Sequence, residues 1–415
     1  MTRKTIPITP AHAVRLEPAG TGQRIQLTAS PPLALYIHYP WCVRKCPYCD
    51  FNSHTLRGDA TPDTGLEARY IDALVADIES ALPQVWGRRV HTVFIGGGTP
   101  SLMSAPALDR LLTAVRTLLP LDPMAEITLE ANPGTFEAAR FRDYRAAGVN
   151  RLSIGIQSFD DAALTRIGRI HDADQARRAV DIALTNFERV NLDIMYALPE
   201  QNMAAAMRDI DIAIATGVSH VSAYHLTLEP NTTFAHSPPP LPDSDLSADM
   251  QEAIEDRLAA AGFEHYETSA FARPGQQCRH NLNYWQFGDY LGIGAGAHGK
   301  LSSHDGIARE MRHKHPTRYL DAAARRDFVQ ERREVAAAEL PFEFLMNALR
   351  LTDGVPSALF STRTGLPLSV IADRIDQAVA AGLLAADPLT LRPTEQGQRF
   401  LNDLLALFLP EAEAP

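Results

Sequence analysis

Three of the four cysteines in this 415-residue chain, Cys42, Cys46 and Cys49, stand together in HYPWCVRKCPYCDF with the spacing C-x3-C-x2-C. A disulfide framework spreads its cysteines along the chain, and a structural zinc site draws four protein ligands, usually from two knuckles. The remaining cysteine, Cys278, is isolated far downstream, so neither pattern is met. Thiolates also hold iron–sulfur clusters, and a 4Fe-4S cluster carried by three of them keeps one iron open to an external ligand. The chemistry indicated is that of iron in a reducing compartment.

Alternating elements must position such a site. Apolar, β-rich runs at 33–40, 90–97, 125–133, 149–157, 190–199 and 218–230 read as strands. Between them lie segments such as GLEARYIDALVADIESAL, whose apolar residues recur at helical spacing. Six such repeats predict an α/β fold with a parallel sheet covered by helices. The cysteines, the run Gly96 to Pro100, Glu130 and Gln157 fall at or just beyond the C-terminal ends of these strands, the rim where barrel-like folds gather reactive groups. That placement favours a partial barrel. A doubly wound open sheet stays compatible with the strands alone, since they do not reveal their order.

Composition narrows the function classes. The chain is 45% hydrophobic, long enough for more than one domain, and carries a net charge of −11, the wrong sign for a protein that lives on phosphate contacts. No signal-peptide core or spanning apolar run is found, and a cytoplasmic location is expected. The expected organisation is a flexible extension at 1–32, a core at 33–270, a connecting region at 271–338 and a mostly helical, winged-helix-like unit at 339–415. That last unit holds 5 Arg and no Lys against 10 acidic residues, so it reads as a packing or partner-binding domain without nucleic-acid affinity.

The cysteine motif after the first strand of a βα-repeat domain resembles the radical S-adenosylmethionine superfamily. The segments YIHYPWC, CPYCDF, GGGTPSL, EANPGT, RLSIGIQSF, GRIH, LTLEPNT, HNLNYW and GIGAGAHG resemble its coproporphyrinogen III oxidase-like branch over nearly the whole chain from about Leu33. The resemblance implies a partial (β/α)6 TIM-like barrel, a 4Fe-4S cluster on Cys42, Cys46 and Cys49, and S-adenosylmethionine at the open iron. It further implies an aromatic residue, Tyr48, between the second and third ligands, and a glycine-rich loop, Gly97, Gly98 and Thr99, near the amino acid end of the nucleotide. Tyr36, Glu130, Gln157, Arg169 and Asp193 are implied as its other contacts. Chemically these types suit the ligand: carboxylates accept from ribose hydroxyls or an ammonium, an amide does either, and arginine pairs with a carboxylate. Each alone is also compatible with a rim salt bridge or a helix cap, and Tyr36 with a packed strand aromatic.

Two features divide the branch. Its oxidases carry a further cysteine two residues after the third ligand, where this chain has Phe51. HNLNYW resembles a motif tied to heme binding, with His280 as the imidazole and Tyr284 and Trp285 able to pack on a macrocycle. The implied function is a heme chaperone, not in itself a turnover enzyme. It would bind cluster, S-adenosylmethionine and heme and pass heme to a recipient hemoprotein, which can be membrane-associated, with a homodimer compatible with the role. The alternative is an oxygen-independent coproporphyrinogen III oxidase. Cys278 reads as a second heme ligand or as inert, and His298 as structural or nucleotide-adjacent. Ala197 stands where relatives commonly have glycine.

Overall fold

The computed structural model describes residues 25–56, 64–134, 138–304 and 306–410. Six strands form the parallel core: β1 (Leu33–Tyr39), β2 (Val90–Gly97), β3 (Leu121–Ala131), β4 (Arg151–Gln157), β5 (Arg189–Tyr196) and β6 (His220–His225). They lie side by side in chain order, each parallel to the next. A doubly wound sheet reverses direction at a switch point. Here the order never reverses, so the sheet curls one way, as in a barrel that stops before closing. All seven residues of β4 are buried, as a strand covered on both faces requires.

The connecting helices are α1 (Thr64–Val85), α2 (Ala105–Leu118), α3 (Ala138–Ala147), α4 (Ala173–Asn186), α5 (Met203–Ala215) and α6 (Ser244–Ala260). In α1, Tyr70, Ile71, Leu74, Ile78, Ala81 and Val85 recur at three- and four-residue steps and are all buried. Local signals start the helices. Ser104 caps α2 by accepting from the Ala107 N–H, and Asp172 with Gln175 forms a reciprocal capping box on α4. Glu67 of α1 accepts from the Ser104 amide at 2.7 Å and from its hydroxyl at 2.5 Å, which ties the first two helices together.

Six further strands extend the sheet: β7 (Glu264–Glu267), β8 (Ala270–Ala272), β9 (Asp289–Ile293), β10 (His298–Ser302), β11 (Ile307–Arg312) and β12 (Val329–Glu334). Strand β9 adds to β1 in parallel; β10, β11 and β12 follow antiparallel on that side, and β8 and β7 antiparallel beyond β6. The segment 271–338 is therefore part of the sheet as well as a connector. Its turn 294–297 is held by a buried cluster in which Asp77 of α1 accepts from Arg312 Nε at 3.0 Å, from the Tyr319 hydroxyl at 2.8 Å and from the Gly294 amide at 3.2 Å.

The C-terminal unit carries the helices Leu340–Ala348, Ser357–Thr364 and Ala372–Ala380 and a pair of two-residue strands, Val355–Pro356 and Thr390–Leu391. An antiparallel bridge between Leu384 and Pro393 completes a small wing. Its core is shared with the sheet: Phe344 meets Phe287 edge-on at 5.7 Å and Phe360 at 5.4 Å. Residues 25–32 correct part of the expected flexible extension. Leu27 is buried in that shared core, and the Gln26 and Leu27 amides donate to the carbonyls of Gly365 and His304. An apolar residue with two satisfied backbone donors is held in place; residues 1–24 lie outside the described part. Among the described residues no helix is long and apolar enough to cross a membrane.

Candidate functional site

The cysteine segment leaves β1 and folds back over the strand ends. Cys42 is in a short strand, Trp41–Cys42, paired with His54–Thr55, and the Cys49 amide closes a turn on the Cys46 carbonyl at 3.2 Å. The segment is pinned by Asn52, whose side-chain amide donates to the carbonyls of Ala295 at 2.9 Å and Lys314 at 2.8 Å. From the other side the glycine-rich loop closes in: the amides of Gly98 and Thr99 donate to Tyr39 and Trp41 at 2.7 and 2.8 Å. Glycine is required there. A Cβ on Gly97, at φ +118°, would lie 2.5 Å from the His38 ring, and one on Gly98 would lie 2.5 Å from the Trp41 carbonyl oxygen.

Polar side chains from four strand ends meet beside the thiols. Thr99 donates to Cys42 Sγ at 3.5 Å and accepts from Asn132 at 3.0 Å; Arg169 donates to Asn132 at 2.5 Å, to the Gly155 carbonyl at 2.6 Å and to Cys46 Sγ at 3.7 Å. A hydrogen-bonded belt thus joins two of the three cysteines, while Cys49 Sγ lies 3.9 Å from Ser53 Oγ. Gln157 ends β4 with φ 68°, a left-handed conformation that costs energy for a side chain with Cβ, and accepts from the Tyr224 hydroxyl at 2.6 Å. Asp193 accepts from Ser153 and Asn191 at 3.1 and 2.8 Å. Glu130 receives the Gly97 amide at 3.0 Å. Tyr36 meets His38 Nδ1 at 2.8 Å and stacks on Phe94, and Tyr48 packs against Phe234 on the other flank. Ala197 is left-handed at φ 55°, a conformation that glycine adopts with less strain.

Burial, reinforced by the neighbouring Asp193, pushes the Glu130 carboxyl up to about 8, and burial raises Asp193 as well. The Cys42 and Cys49 thiols are also raised, mainly by burial. Arg169 Nε is buried with no partner among the described residues. Thiols short of a metal, facing carboxylates short of a cation and a guanidinium short of an acceptor fit a metal cluster with a cationic, carboxylate-bearing ligand. Among the described residues no three His, Cys, Asp or Glu side chains converge as ligands of one ion; a cluster asks each thiolate to reach a different iron.

A cavity of about 900 Å³ opens beside this site. Tyr36, Gly97, Glu130 and Cys49 line it together with Tyr284, Trp285 and Tyr290 and with Met346 and Asn347 of the C-terminal unit. His280 is fixed at both ring nitrogens. It is 1% exposed, its Nδ1 meets Thr92 Oγ1 at 2.8 Å and its Nε2 meets the Tyr284 hydroxyl at 2.9 Å. Both ring nitrogens are engaged and burial lowers its pKa to about 3, so in this arrangement the neutral imidazole holds the Tyr284 hydroxyl in place. Cys278 is fully buried, 3.6 Å from Glu126 in a layer with Arg189.

Comparison with known proteins places this geometry. Residues 36–212 match the radical SAM superfamily and residues 335–400 the HemN C-terminal domain. The heme chaperone HemW of Escherichia coli (strain K12) is 49% identical over 92% of this chain and 99% of its own length. The chain belongs to the HemW family within the radical SAM superfamily. Another HemW, from Mycobacterium tuberculosis (strain ATCC 25618 / H37Rv), is 38% identical over 85% of this chain and 88% of its own. The E. coli radical SAM enzyme coproporphyrinogen III oxidase (HemN) shares the fold, with a TM-score of 0.77 and 21% identity over 91% of this chain and 90% of its own. For a HemW family member of this superfamily, a 4Fe-4S cluster and S-adenosylmethionine are the implied cofactors.

Asn52, Asn132, Tyr224 and Met346 are the site residues that sequence reasoning missed. Asn132 stands two positions from Glu130 and Asn52 three from Cys49, and that adjacency was the available signal. Tyr224 and Met346 carry none, because they reach the site only through folding.

Proposed function

We propose that the protein is a heme chaperone. Cys42, Cys46 and Cys49 hold a 4Fe-4S cluster, and Tyr36, Thr99, Glu130, Gln157, Arg169 and Asp193 bind S-adenosylmethionine across the strand ends. Heme occupies the adjoining cavity and passes to a recipient hemoprotein in the cytoplasm or at a membrane. The observation that carries this reading is the cavity itself, which Cys49, Glu130 and the Tyr284–Trp285 pair all line. A cluster of this kind, when bound, supplies one-electron chemistry to a sulfonium. The protein's part is to orient: Arg169 has a spare Nε–H for a carboxylate, and Glu130 with Asp193 offers negative charge to a cationic ligand. Phe51, 57% exposed at the cavity wall, stands where the oxidases have a cysteine, which favours transfer over decarboxylation.

Anaerobic reconstitution tests the proposal. About four iron and four sulfide per chain are expected, lost in Cys42→Ala, Cys46→Ala and Cys49→Ala. Hemin should bind with a shifted Soret band and move to an apo-hemoprotein, while coproporphyrinogen III stays unchanged. Sustained formation of protoporphyrinogen IX would transfer the assignment to the oxidase.

A further inference from the structure

One rung of the parallel sheet leads to Asp193 from below. Glu130 of β3, Ser153 of β4, Asn191 of β5 and His220 of β6 are register partners across four strands, and Ser153, Asn191 and His220 are buried. Side chains two residues apart on a strand share a face, so Asn191 and Asp193 of β5 point the same way. The Asn191 amide nitrogen donates to Asp193 Oδ1 at 2.8 Å and to Ser153 Oγ at 2.7 Å, and the Ser153 hydroxyl donates to Asp193 Oδ2 at 3.1 Å. Both carboxylate oxygens are thereby held by neutral donors, and Asp193 forms no salt bridge among the described residues. A carboxylate aimed in this way keeps further acceptor capacity for a ligand.

The orientation of that amide is decided one strand further on. Asn191 Oδ1 accepts from His220 Nδ1 at 2.6 Å and from the Ser222 hydroxyl at 3.0 Å. His220 Nε2 meets the Tyr266 hydroxyl of β7 at 2.8 Å, and that hydroxyl accepts from the Cys278 amide at 3.3 Å. Burial holds the His220 imidazole well below the ordinary histidine range, so the ring is neutral and donates through one nitrogen only. With the proton on Nδ1, every link runs one way: the Tyr266 hydroxyl to Nε2, Nδ1 to Asn191 Oδ1, and the Asn191 nitrogen to the Asp193 carboxylate. With the proton on Nε2, the Nδ1 lone pair would face the amide oxygen at 2.6 Å, and turning the amide to relieve that contact would point its oxygen at Asp193.

We infer that His220 is a positioning residue for S-adenosylmethionine: its Nδ1 proton fixes the Asn191 amide, and the amide fixes the Asp193 carboxylate that meets the nucleotide. The inference rests on the assignment of Asp193 to S-adenosylmethionine made above. His220 stands apart from the residues that line the large cavity and acts only through Asn191.

The test is calorimetric titration of the reconstituted full-length protein with S-adenosylmethionine, using two variants that each keep one end of the imidazole. The amide nitrogen of His220→Asn stands where Nδ1 stands, and that of His220→Gln where Nε2 stands. Each variant loses one buried hydrogen bond, so the two should lose similar stability in urea, and nucleotide affinity should part them. His220→Gln should bind about tenfold more weakly, while His220→Asn should recover to within about threefold of wild type. Because His220 acts through Asp193, adding His220→Gln to Asp193→Asn should cost no further affinity. Iron and sulfide content and hemin binding should hold throughout. Equal affinities in His220→Gln and His220→Asn, or full additivity with Asp193→Asn, would overturn the inference and leave the assignment of Asp193 standing. In the wild-type apo-protein, nitrogen NMR of the imidazoles should show His220 protonated at Nδ1, and protonation at Nε2 would overturn the inference without any variant. An Asp193→Asn affinity equal to wild type would remove the assignment of Asp193 to the nucleotide and the inference with it.

Discussion

The groups that carry chemistry here are individually ill at ease, and their discomfort is informative. Glu130 faces Asp193 inside a low-dielectric wall, so its carboxyl titrates near 8 and is mostly protonated at neutral pH. A carboxyl whose folded pKa is raised binds its proton more tightly in the native state. Its contribution to stability is complete below the ordinary carboxylate range and is lost as pH rises through about 8. Melting temperature of the apo-protein should therefore fall across that window, and Glu130→Gln should flatten the fall. Calorimetric titration with S-adenosylmethionine should show tighter binding as pH rises towards 8 and above, when Glu130 ionises to meet the cation, with a slope absent in Glu130→Gln. His280 illustrates the opposite condition, complete satisfaction. Removing its ring in His280→Ala strands Thr92 and Tyr284, at about 1–3 kcal/mol for each buried polar group, plus a cavity term. Urea unfolding should register a loss of several kcal/mol in the apo-protein, where no heme is present to lose.

Elements convert these residues into a site by holding loops that have little regular structure of their own. The cysteine segment hangs from Asn52, Asn52 from the turn 294–297, and that turn from Asp77 in α1 through Gly294, Arg312 and Tyr319. Arg312 is 2% exposed, and deleting its main partner leaves a buried guanidinium shared only with Glu310. Breaking such a pair costs roughly 3 kcal/mol or more. Asp77→Ala is thus expected to destabilise the chain by that order in denaturant unfolding and to speed the loss of iron to a chelator. A surface pair such as Arg257 with Asp211, removed as a control, should do neither. Helix α1 was legible from its apolar spacing alone, but Asp77, the buried acid from which the turn 294–297 hangs, reads in sequence as an interruption of that spacing.

Across the whole molecule the cavity belongs to no single unit. The barrel contributes Tyr36 and Glu130, the added strands Tyr290 and His298, and the C-terminal unit Met346 and Asn347. That unit is anchored by Arg350, which donates to Glu267 at 2.7 Å and covers the Trp285 ring at 4.6 Å. Met346→Asp places a charge on the apolar edge, and hemin binding should weaken about tenfold while cluster content and S-adenosylmethionine binding hold, a split readable by absorption and calorimetry. The three cysteines, the βα alternation and the strand-end positions of Glu130 and Gln157 were legible in the sequence, while Arg169, Asp193 and the reading of Phe51 came only through the family resemblance. Local spacing and strand-end placement depend on residues close in the chain. Strand order, and with it the choice of an unclosed barrel over a doubly wound sheet, was settled only by long-range pairing. So was the fate of the histidines. His280 and His298 look alike as letters in two motifs, but His280 is buried between Thr92 and Tyr284, while His298 stands at the edge of the cavity with no ring hydrogen bond among the described residues. A hydrogen-bond partner 188 residues away cannot be read from a motif, because only the folded chain brings Thr92 to His280.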